Sequence, residues 1–254
     1  MLQLDRVCKN FGGLPALGNV SFKVPKGRLT ALIGPNGAGK STLINCITGV
    51  LPVDSGSVLF QDRQIAGLPP HEIRRLGISR TFQNLRLFPR LSVLDNVLTG
   101  LTCEGGHSMV MAMLRLPYLR HRERQLKLRS LEALDRFGLS DKINWPAITL
   151  AYGDKKRVEL ARATVGKPDL LLLDEPVAGL NGEETGAVGE QLMLLRRSGH
   201  TILLVEHDMD LVMKVADQVV VLDSGRCIAT GTPDEVRCNP LVLEAYLGRM
   251  EATA

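Results

Sequence analysis

Residues 34–42 read Gly34-Pro35-Asn36-Gly37-Ala38-Gly39-Lys40-Ser41-Thr42. A glycine, four residues, then Gly39, Lys40 and Ser41 is the spacing of a phosphate-binding loop. Upstream, Leu29 to Ile33 reads as a short buried strand; downstream, Ser41 to Val50 reads as a helix. The motif requires that strand, loop and helix, and the setting separates it from a glycine-rich turn that binds nothing. The glycines let backbone N–H groups turn inward with no Cβ in the way. With the helix N-terminus, those groups attract phosphate oxygens. Lys40 then reaches the β- and γ-phosphates, and the Ser41 hydroxyl ligates Mg²⁺.

A second cluster follows four leucines, in Leu170-Leu171-Leu172-Leu173-Asp174-Glu175. A buried strand there puts Asp174 at its C-terminal end, where parallel sheets gather their ligands. Asp174 is expected to bind Mg²⁺ directly or through water. Glu175 is placed to polarise an attacking water. A third stretch, Leu150-Ala151-Tyr152-Gly153-Asp154, precedes a run of good helix formers, Lys155 to Ala163. Asp154 can cap that helix or complement its dipole. A glycine before a helix N-terminus also makes an anion site. An ordinary loop entering a helix has the same residues.

The elements that must hold these groups alternate in type. Leu2 to Val7 and Val20 to Val24 alternate as half-buried strands, and Ser57 to Phe60 follows a Ser55-Gly56 turn. Pro69-Pro70 precedes a short helix, His71 to Leu76. From about Ser92 to Ala163 helical periodicity takes over. Ser92 caps a helix from Val93 to Leu101, and Arg120 to Phe137 carries an apolar stripe ended by Gly138. After Pro168, strands (Leu170–Leu173, Thr201–Val205, Gln218–Leu222) alternate with helices (Glu183–Arg197, Met209–Val215). That pattern predicts an α/β fold whose parallel sheet is covered on both faces. Residues 1–91 and 164–254 form the α/β core with its antiparallel part, and residues 92–163 an inserted helical subdomain, all within one domain.

With 44% hydrophobic and 23% charged residues among 254, the chain has the composition of a soluble globular protein. No apolar run approaches the ~18 residues that cross a bilayer. The N-terminus lacks the basic and apolar regions of a signal peptide, so the chain is expected in the cytosol. Cys8, Cys46, Cys103, Cys227 and Cys238 form no C-x-x-C pair, which suits reduced, mostly buried thiols. The net charge of +4 owes much to Arg120, Arg122, Arg124, Lys127 and Arg129. Those charges are either a solvated helix face or a contact for anionic lipid heads or an acidic partner. Few aromatics interleave with them, which disfavours nucleic acid.

Over essentially its whole length the sequence resembles the ATP-binding subunits of ABC transporters. The family signature is Leu-Ser-Gly-Gly-Gln, a basic pair and Ala-Arg-Ala. Leu150 to Asp154, Lys155-Lys156-Arg157 and Ala161-Arg162-Ala163 match it, with Ala151 for the serine, Tyr152 for the first glycine and Asp154 for the glutamine. The resemblance implies an ABC ATPase fold of the P-loop NTPase class, with a mostly parallel core, an antiparallel β subdomain and an inserted helical subdomain. It also implies ATP and Mg²⁺ as ligands. Phe11 falls where an aromatic stacks on adenine, the alternative being a core residue. Gln83, in Arg80-Thr81-Phe82-Gln83, matches the glutamine that joins Mg²⁺ and water to the membrane subunit. Ala178-Gly179-Leu180-Asn181 matches the subunit-contact loop, and His207 the histidine that contacts the γ-phosphate. The resemblance implies that the signature acts on the ATP of a partner subunit. With no serine hydroxyl, the N–H groups of Tyr152 and Gly153 and the helix dipole must serve there, and the Asp154 carboxylate should point away.

Phe11-Gly12-Gly13-Leu14, Glu206-His207-Asp208-Met209 and Glu244-Ala245-Tyr246-Leu247-Gly248 narrow the likeness to ATPase subunits of bacterial branched-chain amino acid importers. The implied partners are membrane permease subunits, a second ATPase subunit and, indirectly, a periplasmic binding protein. The implied location is the cytoplasmic face of the inner membrane. Two other readings share the cassette: the ATPase of a different transporter, and a soluble protein acting on nucleic acid or ribosomes. The single cassette without a long inserted arm argues against the second.

Overall fold

Leu29–Ile33 (β3), Leu170–Asp174 (β7) and Thr201–Val205 (β8) are buried at every position. Strands this apolar have no face to give to water and need cover on both sides. In the computed structural model, which describes residues 1–81, 85–101 and 117–247, they lie in a six-stranded sheet. Its order is β10-β9-β3-β8-β7-β6, where β6 is Ile78–Arg80, β9 is Gln218–Asp223 and β10 is Arg226–Gly231. Five strands run parallel, and β10 closes one edge antiparallel to β9. A second, antiparallel sheet has the order β2-β1-β4-β5, from Leu2–Phe11 (β1), Leu14–Val24 (β2), Ser55–Phe60 (β4) and Arg63–Gln64 (β5).

The strand period of two sorts the core. Leu170 and Leu172 of β7, and Leu203 and Val205 of β8, pack towards the antiparallel sheet and Lys40–Ile47 (α1). Leu171, Leu173, Ile202 and Leu204 pack the other way, against helices. Those helices are Val93–Leu98 (α3), Pro117–Arg136 (α4), Tyr152–Thr164 (α5), Gly182–Arg197 (α6) and Met209–Val215 (α7). Leu134 and Phe137 anchor the end of α4 in this core, each worth roughly 2 kcal/mol by burial. A smaller cluster joins Ala31, Ile33, Val219 and Val221 to Pro233–Arg237 (α8) and Pro240–Leu247 (α9) through Val236 and Val242. The C-terminal ends of β3, β7 and β8 therefore open on one edge of the sheet.

Some elements differ from expectation. Helix α1 stops at Ile47 rather than Val50, because Gly49 adopts φ 71° and a Cβ there would lie 2.2 Å from the Leu68 carbonyl. Ser92 does cap α3 through the Asp95 amide (3.0 Å), but the helix tightens into a 3₁₀ turn at Thr99–Leu101. The short helix after Pro69 is Pro70–Arg75 (α2). Strands β6 and β10 were not expected; one is three residues long and the other half-exposed. Ala151, not Asp154, occupies the N-cap of α5. Of the described cysteines only Cys46 is buried, Cys8 and Cys227 being partly open and Cys238 exposed. On α4, Arg124 and Lys127 are solvated, whereas Arg129 turns in to donate to the Val165 carbonyl (3.2 Å). Among the described residues no helix is long and apolar enough to cross a membrane.

Candidate functional site

The loop from Gly34 to Thr42 is shaped by close backbone approaches. Gly34 sits at φ 149°, and a Cβ there would lie 2.0 Å from the Leu222 carbonyl of the neighbouring β9. Gly39, at φ 97°, would place a Cβ 2.7 Å from the Ala16 carbonyl. Only glycine fits either position. Lys40 opens α1 and is buried; its Nζ donates to the carbonyls of Gly34 (2.6 Å) and Pro35 (3.0 Å). Burial pushes this ammonium below the usual lysine range, against the pull of Glu175 and Asp174. A cleft of about 560 Å³ runs along Asn36, Gly37, Ala38, Gly39, Lys40, Ser41 and Thr42 to Glu175, with Pro15, Ala16, Ser224 and Gly225 on its far wall. Phe11 ends β1 with 47% of its surface exposed, which excludes the core alternative. The Lys9 ammonium lies 5.6 Å from its ring centroid.

Asp174 ends β7 and is buried. Its backbone amide donates to Thr81 Oγ1 (3.2 Å), and its Oδ2 accepts from Arg80 Nη2 (2.9 Å). Arg80 also donates to Asn45 Oδ1 (2.7 Å) and Thr48 Oγ1 (3.1 Å), which ties α1 to the acidic strand end. Glu175 turns the chain at φ 48°, and its amide donates to the Val205 carbonyl (2.9 Å). Its Oε1 lies 3.9 Å from His207 Nδ1. These two line a further cleft of about 490 Å³ with Gly34, Pro35, Asn36 and Tyr246. Lys40, Asp174, Glu175 and His207 thus converge from β3, β7 and β8, as their places in the sequence lead one to expect. Gln83 lies outside the described residues.

Leu150 is buried in the helix-side core and anchors the start of α5. Ala151 carries no cap bond, so the first amides of the helix are bare of side-chain acceptors from that residue. A Cβ on Gly153 would meet Glu184 Oε1 at 2.5 Å. The Asp154 carboxylate is directed into its own subunit, to Lys142 Nζ (2.5 Å) and Arg157 Nη2. Burial alone would raise its carboxyl, but Lys142 and Arg157 together outweigh that and hold it below the usual range. Two cations thus hold this carboxylate within its own subunit.

Sequence reading missed three groups. Glu206 is fully buried; its Oε1 accepts from the Val177 amide (3.1 Å) and its Oε2 from the His207 amide (3.1 Å). Burial raises its carboxyl above the usual range, against the pull of those amides. An acid between a buried strand and His207 was the available signal. Tyr246 brings α9 into the cleft that Gly34, Glu175 and His207 line, and its buried hydroxyl has no hydrogen-bond partner among the described residues. Arg80 gave no signal, since its partners lie 35 and 94 positions away.

Comparison with known proteins agrees with this geometry. A family model for ABC transporters matches residues 17–178. A second, for branched-chain amino acid ATP-binding cassette transporters, matches residues 226–252. The chain is 41% identical over 249 residues to the high-affinity branched-chain amino acid transport ATP-binding protein LivG of Salmonella typhimurium, covering 98% of each. The ADP conformation of MJ1267, an ATP-binding cassette of an ABC transporter, is 34% identical and superposes with a TM-score of 0.85 over 98% of both chains. The dimeric structure of MJ0796, a bacterial ABC transporter cassette, is 25% identical with a TM-score of 0.78 over 92% of this chain and 99% of that one. A phosphate loop, an acidic strand end and a facing histidine on this fold, with these relatives, place the chain among the ATP-hydrolysing cassettes of ABC transporters, in the branch of the branched-chain amino acid transport ATP-binding proteins.

Proposed function

We propose that this chain powers uptake of leucine, isoleucine or valine from the cytoplasmic face of the inner membrane. It does so by binding and hydrolysing ATP between two cassettes. The convergence of Lys40, Asp174, Glu175 and His207 on one sheet edge supports the chemistry. The match across residues 226–252 supports the transport class. Substrate choice lies with the permease subunits and a periplasmic binding protein, and no nucleic acid takes part.

In this reading Phe11 stacks on adenine, and Gly34, Pro35, Asn36, Gly37, Ala38, Gly39, Lys40, Ser41 and Thr42 cradle the phosphates. Glu175 orients the attacking water, His207 faces the γ-phosphate, and Lys40 takes up charge as the bond breaks. Leu150, Ala151, Tyr152, Gly153 and Asp154 complete the site of the second cassette, with backbone N–H groups in place of the missing serine hydroxyl. The donor set suits Mg²⁺: a serine hydroxyl and a carboxylate are hard oxygens, and this ion takes few protein ligands beside phosphate and water. Ser41 and Asp174, with Gln83, would hold it, and it would neutralise charge between the β- and γ-phosphates. A groove of about 340 Å³ between the sheet and the helical layer includes Val50, Ile73, Phe88 and Arg162. It suits a permease segment, and residues 92–163 act as the arm that carries motion to it.

Glu175→Gln in the assembled transporter is the decisive variant. It should retain ATP binding and lose turnover by about 100-fold or more. Steady-state hydrolysis at the parent rate would remove Glu175 from its role. Uptake of labelled leucine into vesicles holding the intact complex tests the substrate class.

A further inference from the structure

The start of α5 is fastened to the loop that follows β7. Tyr152 Oη donates to the Ala178 carbonyl (3.2 Å). Its ring lies on Gly179, where an added Cβ would sit 3.4 Å from Cε1. One turn further along the helix, Lys156 is 2% exposed, and its Nζ donates to the Glu175 carbonyl (3.4 Å). The same ammonium lies 5.9 Å from the Tyr152 ring centroid. Among the described residues no carboxylate lies within ion-pair distance of Lys156. A buried ammonium without a counterion is costly unless it is hydrogen-bonded. What keeps it in place is therefore the Glu175 carbonyl and the face of Tyr152.

We propose that Tyr152 and Lys156 are positioning residues that strap the start of α5 to residues 175–179, so that the half-site offered to the partner cassette and the half-site kept at home move as one piece. The bond to the Glu175 carbonyl bears on a residue already held at φ 48°. A residue in that region stays there only while its surroundings over-determine it. Loss of the strap lets the Glu175 backbone relax and its carboxylate drift from the water it orients. Displacement of the signature by a partner's nucleotide is, conversely, delivered to Glu175 without passing through the sheet. Tyr152 stands where the family signature has a glycine, so a chain with the common signature has no side chain there to make this link.

The inference rests on the reading of Glu175 as the catalytic carboxylate. The test is the ATP dependence of hydrolysis by the assembled transporter carrying Tyr152→Phe, Lys156→Met or both, with Glu175→Gln beside them. Tyr152→Phe keeps the ring and removes one hydrogen bond. It should lower kcat about tenfold, with KM for ATP changed by less than about twofold and an unaltered thermal midpoint. The double variant should be no slower than the slower single one, as parts of one unit behave. Parent kcat in Tyr152→Phe overturns the proposal. So does a raised KM at parent kcat, which would make Tyr152 a direct nucleotide contact, and so do multiplicative losses in the double variant. If Lys156→Met fails to fold, Tyr152→Phe decides alone. An active Glu175→Gln overturns the catalytic assignment; an inactive Glu175→Gln with a fully active Tyr152→Phe overturns the strap alone.

Discussion

Gly34–Thr42 and Leu150–Asp154 both lead into a helix N-terminus, yet they hold their shapes by different means. The first is fixed by backbone: Gly34 and Gly39 lie against the carbonyls of Leu222 and Ala16, with no room for a Cβ. The second is fixed by side chains turned inward: Leu150 into the core, Tyr152 onto Ala178, Asp154 onto Lys142 and Arg157. Backbone contact fixes the residue type at Gly34 and Gly39, because a Cβ there collides. A side-chain-built loop leaves its N–H groups free for a ligand while its residues vary, so long as each finds an inward partner. That is why the phosphate loop matches its motif fully and the signature departs at Ala151, Tyr152 and Asp154.

The contrast can be broken by substitution. Gly34→Ala carries the largest expected effect. Strain and collision should together cost about 3 kcal/mol or more, and nucleotide binding should go with it; urea melts and an ATP titration read both. A well-folded, ATP-binding Gly34→Ala would end the claim that the backbone sets this loop.

Asp154→Asn comes next, at about 1–3 kcal/mol. A fully dry pair would cost roughly 3–5, but Lys142 and Arg157 remain partly open to water. The pH dependence has a definite sign. The folded carboxyl is held below its unfolded value near 3.9, so its contribution is complete above that pH and is lost as pH falls through the folded value. Urea midpoints between about pH 3 and 6 should therefore fall more steeply for the parent chain than for Asp154→Asn. Equal slopes would show that the two cations do not hold this carboxylate.

Phe11→Ala should weaken ATP binding by about 1–3 kcal/mol through lost stacking, with stability little changed, since the ring is half exposed. Calorimetric titration with ATP measures it. Unchanged affinity would take adenine away from Phe11. The smallest effect is a gain. Ala151 has the extended backbone of an N-cap (φ −60°, ψ 157°) and no side-chain acceptor. Ala151→Ser should add about 0.5–1 kcal/mol of stability. An unchanged melting midpoint with faster hydrolysis would mean that the hydroxyl faces phosphate rather than the helix.

The central strands were legible because they are uninterrupted apolar runs: Thr201–Val205 and helix Met209–Val215 have the bounds that the residues suggest. The edges were not. Ile78–Arg80 and Arg226–Gly231 become strands because a neighbour supplies hydrogen bonds, and their own residues carry little pattern. At the site, Lys40, Asp174, Glu175 and His207 stand in contiguous motifs, and their meeting on one sheet edge could be read from the chain. Groups that act by pairing across long separations could not: Glu206 with Val177, Arg80 with Asp174, Tyr152 with Ala178. Local spacing carries no record of which distant amide or carboxylate will lie opposite.

The sheet order has a consequence for how this molecule is made. Strand β3, which leads into the phosphate loop, lies between β8 and β9, and Leu29 pairs with Ile202. Roughly 170 residues must leave the ribosome before that strand finds its first neighbour in the sheet, about 10–30 s at ordinary synthesis rates. Through that interval Leu29–Ile33 is an apolar segment with unpaired amides on both sides. The nucleotide loop is thus encoded early and assembled late.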